Sequence, residues 1–233
     1  AAAPATPAPA AAPSATAVPV AAPVAVAVVA TAPETRPAAL DEGVQDKAPP
    51  LASLKDSPAE TWAQLSGLWK AGPIENCDDM LPAGLQCVRF PVATMSDLRL
   101  LDRPGLVQLR DGDVQRWVVL GALDDQRVVL RSGTQAWRLP LAEFEKQWTG
   151  AYSSIWRLPP GHKSRVFVAK LDDAAGRWLD EQLRKIPEAQ GATYDERVSS
   201  FQKVHLLPGE GRAMPSTFLL VNRIVGRDEP RLR

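Results

Sequence analysis

The residues able to do chemistry in this chain are few and widely spaced: two cysteines, Cys77 and Cys87, and two histidines, His162 and His205. A structural zinc site draws three or four such side chains together at short, regular spacing. Neither histidine has a cysteine or carboxylate cluster near it, so no metal site is expected. Cys77 follows Asn76, a good helix cap, and a helix N-terminus favours the thiolate that a nucleophile requires. The seven tryptophans offer another chemistry, because aromatic faces stack on sugar rings. Trp62, Trp69, Trp148 and Trp178 fall on apolar helical stripes and read as core, and Trp117, in the apolar run 117–120, reads the same way. Trp137 and Trp156 are the better surface candidates. Their neighbours Arg138 and Arg157 would make an aromatic and basic face, although arginines snorkelling over a solvated sheet give the same pattern.

The elements that must position these residues begin after residue 49. Residues 1–49 are Ala, Pro and Val with almost no charge before Glu34, and are expected to be a disordered, extended linker. The run 24–30 is far shorter than the roughly 20 residues of a membrane span. With no basic n-region and no initiator Met, the chain is expected to be a piece whose export or anchoring element lies upstream. The 27 basic and 27 acidic residues give zero net charge, so nothing supplies the electrostatic footprint of a nucleic-acid or anionic-lipid partner.

Ser57-Pro58-Ala59-Glu60 reads as a capping box opening a helix to about Lys70, with Trp62, Leu65, Leu68 and Trp69 on its buried side. Asn76 opens a second short helix through Leu81, residues 86–90 form a strand, and Thr94 with Asp97 opens a helix that Arg103-Pro104 closes. From Gly105 the apolar period changes to two. Strands over 106–110, 114–120, 127–131 and 135–139, separated by Gly- and Asp-containing turns, make an antiparallel meander. A helix from Pro140 carries Leu141, Phe144 and Trp148, and residues 152–158 close the sheet. Pro159-Pro160-Gly161 marks a domain boundary, and helices follow from Asp172 or Asp173, from Tyr194 to about Val204, and over 216–224.

Within that last part, Val198, Phe201, Gln202, Leu206, Glu210, Gly211 and Thr217 resemble a peptidoglycan-binding repeat. In that repeat short helices pack a V-x-x-F-Q face, and an acidic-Gly turn leads into the last helix. Here Glu210 stands for Asp, and Met214 stands where the pattern has its second Gly. Residues 55–225 as a whole resemble the periplasmic part of general secretion pathway protein A. The likeness is carried by the order of Cys77, Gly84-Leu85-Gln86-Cys87, Leu101-Asp102-Arg103-Pro104, Trp148-Thr149-Gly150 and Trp156-Arg157-Leu158-Pro159-Pro160, followed by the repeat. The resemblance implies a domain similar to the papain-like peptidases of bacteriocin exporters and a second domain that anchors to peptidoglycan. It also implies an ATPase and a membrane span upstream that tether the chain to the inner membrane. General secretion pathway protein B is then the partner with which the protein seats the type II secretin in the outer membrane.

In the exporter peptidases a Cys opens the first helix, a His precedes a V-V-L strand and an Asp ends the next strand. Here the helix opens with Pro58, Arg116 precedes the strand 117–120, and the strand 128–130 runs into Arg131. With nucleophile and base both missing, no acyl chemistry is left to assist, and a pseudo-peptidase is expected. The periplasm implied by the resemblance makes a Cys77–Cys87 disulfide the leading reading of the two cysteines, against a displaced nucleophile at Cys77 or two buried thiols in a cytosolic protein.

The expected fold class is α+β: a degenerate papain-like domain with an antiparallel sheet over 50–161, then a small three-helix peptidoglycan-binding domain over 165–227. The expected function is non-enzymatic periplasmic anchoring and secretin assembly without a cofactor. Wall contact is placed at Gln202, His205, Glu210, Gly211, Arg212 and Thr217. For Gln202 and Thr217 bracing of the helices is an equal reading, and for His205 a polar residue favoured by a helix C-terminus is the more frequent one. The alternative is a protein-binding scaffold or homo-oligomerisation module that has lost the ligand. Met214 favours it, because a side chain there would fill the groove or strain a turn needing positive φ.

Overall fold

The computed structural model describes residues 43–78, 84–162 and 170–232, all of which belong to one compact unit. Residues 1–42 of the expected linker and the end of the expected helix at 76–81 lie outside the described residues. Among the described ones, Asn76 accepts a hydrogen bond from the Asp78 amide at 2.8 Å in a turn.

The fold starts before residue 50. Strand β1 (Val44–Gln45) pairs in parallel with Ala136 and Trp137, and a single 3-10 turn (Leu51–Ser53) follows, with Leu51 and Leu54 in the core. Helix α1 (Pro58–Leu68) begins where expected, but only half of the capping box forms: Ser57 Oγ accepts from the Glu60 amide, while the Glu60 carboxylate pairs with Lys55 at 3.1 Å. Both halves form at α2 (Met95–Leu101), through Thr94 and Asp97.

Strand β2 (Leu85–Phe90) precedes α2, and the meander follows it as β3 (Gly105–Asp111), β4 (Val114–Leu123), β5 (Arg127–Ser132) and β6 (Gln135–Pro140). Helix α3 (Leu141–Gln147) leads directly into β7 (Trp148–Arg157), which therefore starts four residues before Tyr152 and takes Trp148 out of the helix. The sheet order is β1-β6-β5-β4-β3-β7-β2, antiparallel throughout except for the parallel β1–β6 pair. Gly105 permits β3 to lie against β7, since a Cβ there would collide with the Tyr152 ring and the Ser153 carbonyl.

Side chains alternate across this sheet, so β3, β4 and β7 each feed two cores. Leu106, Val119 and Ile155 meet Trp62 and Leu65 of α1 and Trp69 just beyond its end. Val107, Leu109, Val118, Leu120, Leu130 and Trp137 join the larger core, which also holds residues of the C-terminal helices α4 (Ala174–Leu183), α5 (Tyr194–Val204) and α6 (Pro215–Ile224). The segments placed in separate domains by the Pro159-Pro160-Gly161 signal thus share one core. Phe218 of α6 lies between Trp156 and Trp178, with ring centroids 6.2 Å from each.

Candidate functional site

The positions matching the peptidase triad are occupied by groups with other work. Ser57 caps α1. Arg116 donates from Nε to the Leu54 carbonyl at 3.1 Å and from Nη1 to the Gln115 carbonyl at 2.7 Å, and lies 3.4 Å from the Asp56 carboxylate. Arg131, where an Asp would end the strand, lies opposite Val119. Cys77 and Cys87 are joined in a disulfide with their Cα atoms 5.4 Å apart, so the sulfur of Cys77 is not a free thiol. The bridge, together with a two-point ion pair between Arg89 and Asp78 at 3.0 and 3.1 Å, fastens the chain after α1 to the outer strand β2. Among the described residues no group of three or more His, Cys, Asp or Glu side chains is placed to hold a metal, and no helix is long and apolar enough to cross a membrane.

The aromatic surface expected at Trp137 and Trp156 does not exist. Each is 1% exposed, because helices cover the face of the sheet on which they lie. Arg157 remains at the surface, where Nε and Nη2 donate to the Asp228 carbonyl.

The C-terminal constellation is brought together by α5. Thr193 and Glu196 form a complete capping box at its start, Val198 and Phe201 enter the core, and Gln202 follows one position on. Gln202 is 2% exposed and its amide is fully engaged. Nε2 donates to the Arg212 carbonyl at 2.8 Å and to Thr217 Oγ1 at 3.0 Å, and Oε1 accepts from the Gly211 amide at 2.8 Å. Thr217 is completely buried. Gln202 and Thr217 are therefore braces that hold the loop between α5 and α6. Gly209 passes so close to the Gln202 amide that a Cβ would collide with it.

The loop turns through Glu210 at φ +49° and Gly211 at φ +89°, leaving Glu210 and Arg212 exposed. Met214 sits at φ −91°, as the residue before α6. The expected strain is absent there, since this backbone conformation suits any side chain.

His205 ends α5, with its ring 4.6 Å from that of Phe201 and its Nε2 buried without a hydrogen-bond partner. Burial pushes its pKa down, assisted by Arg223 and opposed by Glu188.

Two features escaped the sequence reading. Leu206 follows His205 at φ +54° with 93% of its surface exposed. The Leu206 amide donates to Lys203 and the Leu207 amide to Gln202, a helix-ending pattern in which glycine normally takes the left-handed position. The second is a buried pair, Arg197 and Asp180, which also uses the Gly191 and Ala192 carbonyls to fix the turn before α5. Burial raises the Asp180 pKa, but hydrogen bonds from Arg197 and Arg184 outweigh it and hold the carboxyl below the usual range. Asp180 and Arg197 are 17 residues apart and on different helices, so only the fold reveals their pairing, whereas the Asp180–Arg184 pair follows helical spacing.

No protein-family model matches the chain. It is 28% identical over 165 residues to general secretion pathway protein A of Aeromonas hydrophila, covering 67% of this chain and 30% of the relative. It is 27% identical over 192 residues to the putative general secretion pathway protein A of Escherichia coli strain K12, covering 78% and 39%. Among solved structures, a periplasmic domain of the EpsAB fusion protein of the Vibrio vulnificus type II secretion system aligns with a TM-score of 0.48 and 23% identity over 75% of this chain and 83% of that one. The peptidase C39-like domain of a toxin secretion ATP-binding protein from Vibrio parahaemolyticus aligns at 0.34 and 17% identity, over 45% and 99%. The chain thus spans 30% and 39% of the two curated relatives, and over most of its own length it is homologous to general secretion pathway protein A.

Proposed function

We propose that the chain is a non-enzymatic periplasmic module of type II secretion that holds peptidoglycan and, with general secretion pathway protein B, helps to seat the secretin. The homology to general secretion pathway protein A supports the secretion role, and the disulfide supports an oxidising compartment. A pseudo-peptidase is the reading that fits arginines at two triad positions and a Cys77 sulfur engaged in the bridge.

The observation that carries the wall contact is the bracing of the α5–α6 loop by Gln202, which holds Glu210 and Arg212 outward on a pre-organised backbone. The contact is assigned to the exposed Glu210 and Arg212, to Gly211 and to His205, with Gln202 and Thr217 supporting them from beneath.

The test is co-sedimentation of the whole chain with purified sacculi, since the C-terminal helices share their core with the sheet. Retention that drops at least fivefold in a Glu210→Ala, Arg212→Ala double variant of unchanged stability is expected. Wild-type protein left in the supernatant at low and moderate salt would sink the wall contact.

A second reading, a protein-binding scaffold or homo-oligomer, is favoured by the exposed Leu206 and Val204 beside the same loop. It predicts concentration-dependent association in sedimentation velocity that Leu206→Gly abolishes.

A further inference from the structure

The polypeptide after α6 does not trail into solvent. A glycine turn at Gly226, φ +68°, and a bond from the Arg227 amide to the Asn222 carbonyl send it back across the sheet. Along this return Glu229 is buried and makes contacts in three directions. Its Oε1 accepts from the Arg157 amide at 2.7 Å and from Asn222 Nδ2 at 3.0 Å, while its Oε2 lies 3.1 Å from Arg103 Nη2.

Arg103 is only 1% exposed. It also donates to the Leu219 carbonyl of α6 at 2.8 Å and to the Leu101 carbonyl at 3.2 Å. Asp102, held at φ +50°, accepts from the Leu232 amide at 3.2 Å and lies 3.4 Å from Arg223 and 3.5 Å from Arg231. The Leu232 carbonyl accepts from the Leu123 amide at the end of β4 at 3.1 Å.

We propose that residues 227–232 are a strap, with Glu229 as its clasp, that fixes the C-terminal helices to the sheet in one register, so that the chain works as a single body and not as two domains on a hinge. Apolar packing of Phe218 on Trp156 attracts α6 to the sheet but is non-directional, and it tolerates small shifts along the helix. The ionic contacts do not: a shift of one helical turn would move Leu219 off Arg103 and leave a buried guanidinium without its counter-ion. The strap reaches the junction of α2 and β3 at Asp102 and Arg103, the end of β7 at Arg157 and the end of β4 at Leu123. A displacement at the α5–α6 loop is thereby carried into the sheet.

Hydrogen exchange on the full chain tests this, because sub-global opening appears as faster exchange confined to the released elements. In Glu229→Ala the amides of α6 and of Arg157 are expected to exchange at least tenfold faster, while those of residues 118–120 and 128–130 keep their rates. Glu229→Gln, which retains an acceptor for Arg157 and Asn222 but not the charge facing Arg103, should fall between, and it provides the reading if the alanine variant does not fold. Equal acceleration in the helices and the central strands, or none in either, would overturn the strap.

Discussion

Replacing Gln202 by alanine separates a brace from a ligand contact. The side chain makes three hydrogen bonds, to the Arg212 carbonyl, Thr217 Oγ1 and the Gly211 amide, and all lie beneath the loop. At a net value of about 1 kcal/mol each, their loss costs about 3 kcal/mol. The groups left behind are buried or half-buried, and a loop held by fewer bonds must either desolvate them unpaired or open to water. Relaxation of the loop would lower the cost, and the cavity left under it would raise it, so roughly 2 to 4 kcal/mol is expected. Urea unfolding of the whole chain, followed by tryptophan fluorescence, measures the change. Trp178, stacked on Phe218, reports the C-terminal helices directly. The midpoint should fall with the slope unchanged. A glutamine whose role was to touch ligand would behave as a surface substitution, within about 0.5 kcal/mol, and would lose sacculus retention instead. A cost under about 1 kcal/mol would therefore refute the brace.

Replacing both cysteines by serine should cost about 2 to 3 kcal/mol, as expected for closing a short loop, and thiol titration of the unreduced, denatured wild type should find no free sulfhydryl. Leu206→Gly should stabilise the chain by about 1 kcal/mol in the same urea titration, because it relieves a left-handed conformation and gives up almost no burial. His205→Gln should flatten the pH dependence of stability. Burial lowers the folded-state pKa, so the unfolded chain takes up a proton near pH 6.5 that the folded chain resists. Stability is lost as the pH falls through that value, and the loss levels off below the depressed folded pKa.

Local signals were well legible in the sequence. The capping pair Thr94 and Asp97, the turns of the meander and the apolar face of α5 fell where short-range chemistry placed them, because each depends on neighbours a few residues away. The errors arose where a distant partner decided the outcome. Trp137 and Trp156 alternate with arginines as a half-exposed sheet would have them, but both faces of this sheet are covered, and alternation cannot say by what. Trp148 continues the helical stripe of α3, yet it opens β7 because pairing with Leu109 across the sheet outweighs one more turn of helix. The tail from Arg227 carries no local signal for its place, since its Glu229 and Leu232 are buried through Arg103 and Asp102, more than a hundred residues earlier.

Met214 shows how a departure from a pattern acquires its meaning only from backbone geometry. A second glycine in the turn implies a conformation that other residues resist, and on that basis Met214 should distort the loop. In the fold the positive φ values belong to Gly209, Glu210 and Gly211, while Met214 adopts the extended geometry of the residue that precedes a helix. The substitution is thus conformationally neutral, and its effect is confined to the surface, where a side chain 43% exposed stands at the entrance to α6. Leu206 presents the opposite case, an ordinary-looking leucine that does occupy a left-handed position and gains no burial for it. Of the two, Leu206 carries the evidence for an apolar partner, because it is a large apolar side chain that bears a backbone cost which packing within the molecule does not offset.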